Sequence, residues 1–295
     1  MRAREVQLSE PALLRPPQIR ELADAIGLRP SKGRGQNFIV DPNSIRRIVR
    51  IAECGNTDHI VEIGPGLGSL TLGLVATGAH VTAIEIDAAL ANQLPETIAQ
   101  YAPDQKHQLH VIHADAMHLA ATDVTVSPAA PNKLVANLPY NVSVPVLLHI
   151  LETFKTIESG LVMVQSEVAH RLVAEPGSRI YGVPSLKARW YADSVLAGDV
   201  SRTVFWPAPN VDSSLVSWRR RQERGPAALR ERVFALVDAA FAQRRKGLRA
   251  ALASYFGSAG AAERRLSSAG IEPGTRGEQL GIDDFIALAR TVADR

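Results

Sequence analysis

Three short stretches of the chain combine residue types that handle a nucleoside. The first is Ile60-Val61-Glu62-Ile63-Gly64-Pro65-Gly66-Leu67-Gly68, an apolar run that passes into a glycine triplet and then a helical pattern over 69–76. Glycines permit a tight turn and let the backbone approach a ligand at the start of the following helix. The spacing is G-x-G-x-G. It differs from G-x-G-x-x-G, in which the last glycine serves close helix packing beneath a pyrophosphate. Glu62 is a poor companion for a polyphosphate and suits a ligand with a positive centre. The second stretch, Ala83-Ile84-Glu85-Ile86-Asp87, puts Glu85 roughly twenty residues past the loop, where an acid accepts hydrogen bonds from both ribose hydroxyls. The third, Ala114-Asp115-Ala116, ends the next apolar run with an acceptor where an adenine amine would lie. Gly64, Gly66, Glu85 and Asp115 together describe an adenosine pocket. A lone glycine triplet is as easily an ordinary tight turn, and a dinucleotide oxidoreductase shares part of this pattern.

A fourth motif, Asn137-Leu138-Pro139-Tyr140, follows the buried-type run Leu134-Val135-Ala136 and so falls at another strand end. Here the chemistry is that of a weak nucleophile. The lone pair of an adenine amine is delocalised into its ring. Hydrogen bonds from that amine to the Asn137 side-chain oxygen and the Leu138 carbonyl would favour a tetrahedral nitrogen and free the pair. Pro139 stiffens the loop, and Tyr140 offers a ring on which an unstacked base can lie. A methyl group could then move in line from a sulfonium to nitrogen, with positioning as the main source of rate. The bland alternative is a proline turn beside a core tyrosine.

These motifs need a scaffold, and the apolar pattern provides one. Runs at 59–63, 80–86, 108–112, 133–136 and 160–165 are strand-length and rich in Val and Ile, with helical stretches between most of them. That alternation predicts a parallel α/β sheet. Runs at 194–200 and 214–218 add to the sheet edge, the last of them antiparallel. After Trp218 strand signals vanish, and helical patterns cover 227–242, 246–255, 261–269 and 283–293. The expected organisation is a flexible lead-in over 1–17, a Rossmann-like methyltransferase domain over 18–221 and a small all-helical domain over 222–295.

The whole chain limits the alternatives. A length of 295 residues suits one large domain plus a small one. The single cysteine, Cys54, cannot form an internal disulfide or a thiolate zinc site. No apolar h-region or bilayer-length apolar run is visible, which predicts a cytoplasmic protein with no membrane association. The eight histidines show no metal-ligand spacing, so no metal is expected, and no nucleophile elbow supports Ser/His/Asp chemistry. Nothing in the sequence calls for an obligate interface, so a monomer is expected. Trp190, Tyr191 and Trp218 read as structural.

The combination of motifs resembles the ribosomal RNA adenine N6-methyltransferase family, in its bacterial branch acting on small-subunit 16S RNA. The matching residues are Gly35-Gln36-Asn37-Phe38, the 62–68 loop, Glu85-Ile86-Asp87, Asn137-Leu138-Pro139-Tyr140-Asn141, Pro207-Ala208-Pro209-Asn210-Val211-Asp212-Ser213 and Phe241-Ala242-Gln243-Arg244-Arg245-Lys246. The resemblance implies S-adenosylmethionine as cofactor, with Asn37 and Ile39 closing over its methionine end and with Gly64, Glu85, Asp115 and Asn137 in contact. It implies dimethylation of two adjacent adenosines in the 3′-terminal hairpin of 16S rRNA. The family commonly has Leu where Ile39 stands. It usually has Tyr-Gly-x-Leu-Ser where this chain has Tyr181-Gly182-Val183-Pro184-Ser185, which leaves the backbone there open.

Basic residues cluster after the sheet, at Arg219–Arg221, Arg224, Arg244, Arg245, Lys246, Arg249, Arg264 and Arg265. A charge run is usually a solvated face. The 241–246 match makes Arg244, Arg245, Lys246 and Arg249 candidate RNA contacts, and Lys32 and Arg34 flank the active-site loop as two more. Two other readings share these features: a 23S rRNA methyltransferase conferring antibiotic resistance, and a ribosome-assembly factor whose main role is to bind immature subunits.

Overall fold

The Val- and Ile-rich runs at 59–63, 80–86, 133–136 and 160–165 become strands because an all-apolar run is stable only where both sheet faces are covered. The computed structural model describes residues 12–30, 36–124 and 130–292. The first elements are α1 (Pro16–Ala25), β1 (Phe38–Ile39), α2 (Pro42–Ile51), β2 (His59–Ile63), α3 (Ser69–Val75), β3 (His80–Glu85) and α4 (Ala88–Tyr101). Next come β4 (Leu109–His113), β5 (Lys133–Asn137), α5 (Ser143–Thr153), β6 (Ser159–Gln165), α6 (Ser166–Val173) and α7 (Val183–Tyr191). The chain continues through β7 (Ala192–Val200), β8 (Phe205–Trp206) and β9 (Ser213–Arg220). It ends with α8 (Ala227–Ala242), α9 (Leu248–Ala251), α10 (Ala253–Phe256), α11 (Ala259–Ser268) and α12 (Ile282–Arg290).

The main sheet has the order β4-β3-β2-β5-β6-β9-β7. Strands β2 to β6 are parallel, and β9 pairs antiparallel with β6, with Val162 opposite Val216. The chain leaves β2 toward β3 and β4 on one side, then returns to lay β5 on the other. Such a reversal opens a crevice at the carboxyl ends of the two central strands. All five residues of β2 are buried, Glu62 among them. Helix starts are set locally. The Asp41 carboxylate accepts from Ser44 N at 2.8 Å and Oγ at 2.7 Å to cap α2, and Asp87 accepts from Ala89 N at 3.0 Å to cap α4.

The chain divides into two compact units: residues up to Ala169 with Val195–Arg219, and His170–Ser194 with Arg220 onward. The sequence boundary near 222 therefore misses one segment, His170–Ser194, which belongs with the helices. Aromatic packing explains it. Trp190 and Tyr191 meet Phe234 edge-on at 6.2 and 6.1 Å, and the buried Tyr181 hydroxyl donates to the Leu280 carbonyl at 2.9 Å. Pro184 sits in the first turn of α7, where a missing N–H is harmless, and this resolves the backbone at that departure from the family pattern.

Other expectations need correction. Residues 1–11 of the lead-in lie outside the described residues, but 12–17 are packed: Leu14 is buried, Ala12 N donates to the Tyr101 carbonyl, and Pro16 opens α1. The helix expected over 246–255 is two short ones broken at Leu252. The ribbon of β1 and β8, pairing Phe38 with Trp206 and Ile39 with Phe205, was not foreseen.

Gly160, in β6, has no room for a side chain. A Cβ there would lie 2.6 Å from the Leu134 carbonyl oxygen and 2.6 Å from the Trp218 ring. Gly160→Ala should lower stability by about 1–3 kcal/mol through overpacking, read as a lower urea midpoint; an unchanged midpoint would mean that β6 can shift to make room.

Candidate active site

The crevice at the strand ends encloses a hollow of about 560 Å3. Its floor is the glycine loop. Gly64, Gly66 and Gly68 all have positive φ, at 66°, 58° and 93°. Gly66 is also short of space, since a Cβ would stand 2.8 Å from the Phe38 ring. The glycines thus serve both the turn and the close approach of residues 36–39 across it.

Two carboxylates line the hollow out of water. Glu85, at the end of β3, is 5% exposed, and its two oxygens accept from Gly66 N at 3.1 Å and Asp87 N at 3.0 Å. Burial raises its pKa above the ordinary value, against the pull of those N–H groups. Glu62, at 1% exposure, accepts from Thr71 Oγ1 at 2.7 Å. Burial, with the Glu85 charge nearby, pushes its pKa up to about 8. Asp115 follows β4 and is more open. One oxygen caps the Met117 N–H at 2.9 Å, and the other lies 3.1 Å from His118 Nδ1.

Asn137 ends β5. Its Nδ2 donates to the Asn37 carbonyl at 3.2 Å, and the residue lines the hollow. Its Oδ1 is buried and has no hydrogen-bond partner, and Ser69 Oγ on the same wall is in the same condition. Buried polar atoms are rarely left so, and a water, ion or ligand group that satisfies them is one explanation. Pro139 joins Asn137 in the wall, whereas Leu138 and Tyr140 do not. The Leu138 side chain is buried in the core, with its N–H on the Met163 carbonyl at 3.0 Å. The Tyr140 hydroxyl is tied to Ser213 Oγ at 2.6 Å, which anchors the end of the Asn-Leu-Pro-Tyr loop.

The structure therefore brings Asn37, Ile39, Gly64, Gly66, Glu85, Asp115, Asn137 and Pro139 around one hollow. Gln36, Phe38 and Asn141, which belong to the matched motifs but were given no role, also line it, as do Ser69, Met117 and Val142, which sequence reasoning missed. Ile86 was visible between two acids but not assigned; it lines the hollow at 64% exposure. Lys32 and Arg34 fall outside the described residues.

Arg244, Arg245, Lys246 and Arg249 all belong to the second unit. Arg245 and Lys246 are exposed. Arg244 is engaged within the unit, donating from Nε to Glu278 at 2.8 Å and from Nη2 to the Arg179 carbonyl at 2.7 Å. Arg249 pairs with Glu263 at 3.0 Å. Among the described residues no group of three or more His, Cys, Asp or Glu side chains is arranged to hold a metal, and no helix is long and apolar enough to cross a membrane.

Known proteins share this architecture and much of the sequence. Ribosomal RNA small subunit methyltransferase A of Thermobifida fusca is 55% identical over 285 residues, covering 97% of this chain and 98% of that protein. The protein of the same name from Streptomyces coelicolor is 57% identical over 279 residues, covering 94% and 96%. Among solved structures, the 23S rRNA methyltransferase ErmE has a TM-score of 0.63 at 26% identity, covering 86% of this chain and 99% of that one. A dimethyladenosine transferase from Plasmodium falciparum, at 21% identity and a TM-score of 0.67, covers 84% and 94% and shares the fold. The family described as Ribosomal RNA adenine dimethylase matches residues 29–294. The chain belongs to that family.

Proposed function

We propose that the protein dimethylates the N6 amines of two adjacent adenosines in the 3′-terminal hairpin of 16S rRNA, within the small ribosomal subunit or its precursor. It uses S-adenosylmethionine and acts as a cytoplasmic monomer. The observation that carries the reading is the buried, unpartnered Asn137 Oδ1 in the wall of a hollow that also contains Glu85. An acceptor in that condition suits a ligand amine that donates a hydrogen bond.

The residues of the hollow fit the cofactor. Glu85 keeps acceptor capacity for a pair of ribose hydroxyls while backbone N–H groups fix its orientation. Ser69 Oγ offers a free hydroxyl, and Ile86 offers an apolar surface to the flat face of an adenine ring. A volume of about 560 Å3 is in the range of small-molecule sites. When bound, S-adenosylmethionine supplies a methyl group on a sulfonium. Asn37 and Ile39 cover the methionine end of the site, and Asp115 accepts from the adenine amine of the cofactor.

The chain's part in the transfer is to prepare the nucleophile. Asn137 Oδ1 and the Leu138 carbonyl accept from the two hydrogens of the target amine, so that its lone pair is released from the ring and aimed at the methyl carbon. Pro139 keeps that loop stiff, and Tyr140 supports the extruded base. The methylated nitrogen is acidic and loses its proton to solvent, so no strong base is needed. Arg245 and Lys246, with Lys32 and Arg34, hold RNA phosphates, while Arg244 and Arg249 are engaged with Glu278 and Glu263. The names of relatives at 52–57% identity favour the small subunit over the 23S target of ErmE. Mapping methylated adenines in ribosomal RNA from cells with and without the protein decides between them.

Asn137→Ala should reduce methyl transfer to unmodified small subunits by a factor of about a hundred or more, the scale of losing one aligned transition-state contact. Wild-type turnover in that variant would remove Asn137 from the chemistry. Glu85→Ala should weaken cofactor binding by about 1.5–3 kcal/mol, read by calorimetry; an unchanged affinity would exclude the ribose contact.

Glu62 sets a pH dependence. In the free folded protein it keeps its proton up to about pH 8, whereas in the unfolded chain it loses the proton near 4.5. Its stabilising contribution is full below 4.5 and is lost as pH rises through 8. The loss is at most about 1.4 kcal/mol per pH unit. The unfolding temperature of the ligand-free protein should fall between pH 5.5 and 8, and Glu62→Gln should make that fall shallower. Equal slopes for both proteins would show that Glu62 ionises normally.

A further inference from the structure

Dimethylation asks more of the site than one transfer, because the same amine must react twice. Each transfer puts a methyl group on the adenine nitrogen and sends one of its protons to solvent. A fresh amine has two N–H donors, one for Asn137 Oδ1 and one for the Leu138 carbonyl. After the first transfer one donor remains, so one of the two acceptors goes without. The hydrogen-bonded hold on the base is then weaker, whereas the stacking of its ring is unchanged.

The stacking surface is Tyr140, whose chain neighbours Pro139 and Asn141 both line the hollow. Tyr140 is half-buried, in the turn between β5 and α5. Its side chain has two torsions, and a contact at the tip sets the direction of the ring. That contact is Ser213, whose Oγ lies 2.6 Å from the Tyr140 hydroxyl.

Ser213 is itself held on both sides. It is buried and stands opposite Gln165 where β9 runs beside β6. Before it, the Asp212 carbonyl accepts from Ser166 N at 3.0 Å, and the Asp212 carboxylate accepts from Arg202 N at 2.9 Å. After it, Ser214 Oγ is bonded to Ser166 Oγ at 2.9 Å and to Asp199 Oδ1 at 2.8 Å. The hydroxyl is thus presented by backbone tied to α6 and β7. The ring follows the anchor.

We infer that Ser213 is a positioning residue for the second methyl transfer: by holding the Tyr140 hydroxyl, it keeps the once-methylated adenine aligned when a single amine hydrogen is left. The inference rests on adenine dimethylation being the reaction. It gives the end of the Pro207–Ser213 loop a part in carrying the product from one methyl group to two.

The test follows monomethyl- and dimethyladenosine by mass spectrometry in unmodified small subunits treated with the full-length protein. Ser213→Ala and Tyr140→Phe should each slow the second transfer about tenfold and the first by less than about threefold, so that monomethyladenosine accumulates. The double variant should be no slower than either single one, because both remove the same bond. Cofactor affinity by calorimetry and the unfolding temperature should stay at wild-type values. A second readout uses subunits reconstituted with 2-aminopurine at the target position. Its amine is not at position 6, so it reports the stack without the two hydrogen bonds. The fluorescence anisotropy of that base in the complex should fall in both variants. Wild-type product ratio and anisotropy in both would overturn the role of Ser213, and equal slowing of both transfers would overturn its assignment to the second. A wild-type protein that formed no dimethyladenosine would end the proposed function and this inference with it. Where the wild-type protein does form it, failure of the variants to differ ends the inference alone.

Discussion

Two carboxyl groups removed from water within one crevice, with no cation paired to either among the described residues, are the constraint around which the first unit is arranged. Taking a carboxylate out of water is expensive unless it is neutralised or hydrogen-bonded. The two groups answer this differently. Glu85 has backbone N–H donors on both oxygens, supplied by the glycine loop and by the start of the turn after β3. Glu62 has a threonine hydroxyl and retains its proton instead. Both solutions are local to β2, its glycine loop, α3 and the neighbouring β3, while Asn137 reaches the same hollow from β5, across the reversal of strand order. A site that is partly unsatisfied when empty is a site that gains when a ligand with donors and a positive centre arrives.

Much of this was legible in the sequence, for a physical reason. Strands buried on both faces must be continuously apolar, so β2, β3, β5 and β6 announced themselves with ends correct to a residue or two. The chemistry-bearing residues sit where those runs stop, and strand ends in a parallel sheet all open on the same side. Glu85, Asp115 and Asn137 could therefore be grouped without knowing a single distance, while Asn37 came only with the resemblance to the family.

What escaped was non-local. The β1–β8 ribbon joins two-residue strands more than 160 positions apart, and neither half has a pattern of its own. His170–Ser194 gave no sign of belonging with the C-terminal helices, because its allegiance is decided by aromatic rings meeting Phe234. Charge was the least informative signal. Arg244 and Arg245 are adjacent and identical in type, but one is bound to Glu278 and to carbonyls while the other is exposed. Only the tertiary partner separates a structural arginine from one left for a ligand.

The unforeseen ribbon also explains how the two halves of the crevice are kept in register. Phe38 lies over Gly66, its neighbour Asn37 accepts from the Asn137 amide, and β1 is paired to β8 just before the Pro207–Ser213 loop. That loop returns at Ser213 to hold the Tyr140 hydroxyl. The segment covering the glycine loop, the side chain with the unpartnered oxygen and the end of the Asn-Leu-Pro-Tyr turn are therefore linked in a closed circuit of contacts within one unit. In a transfer whose rate comes from alignment, an error of about an ångström costs two orders of magnitude. A floppy cover over a rigid floor would not meet that tolerance. By tying Asn37 to Asn137 directly, the fold links the segment over the glycine loop to the end of β5.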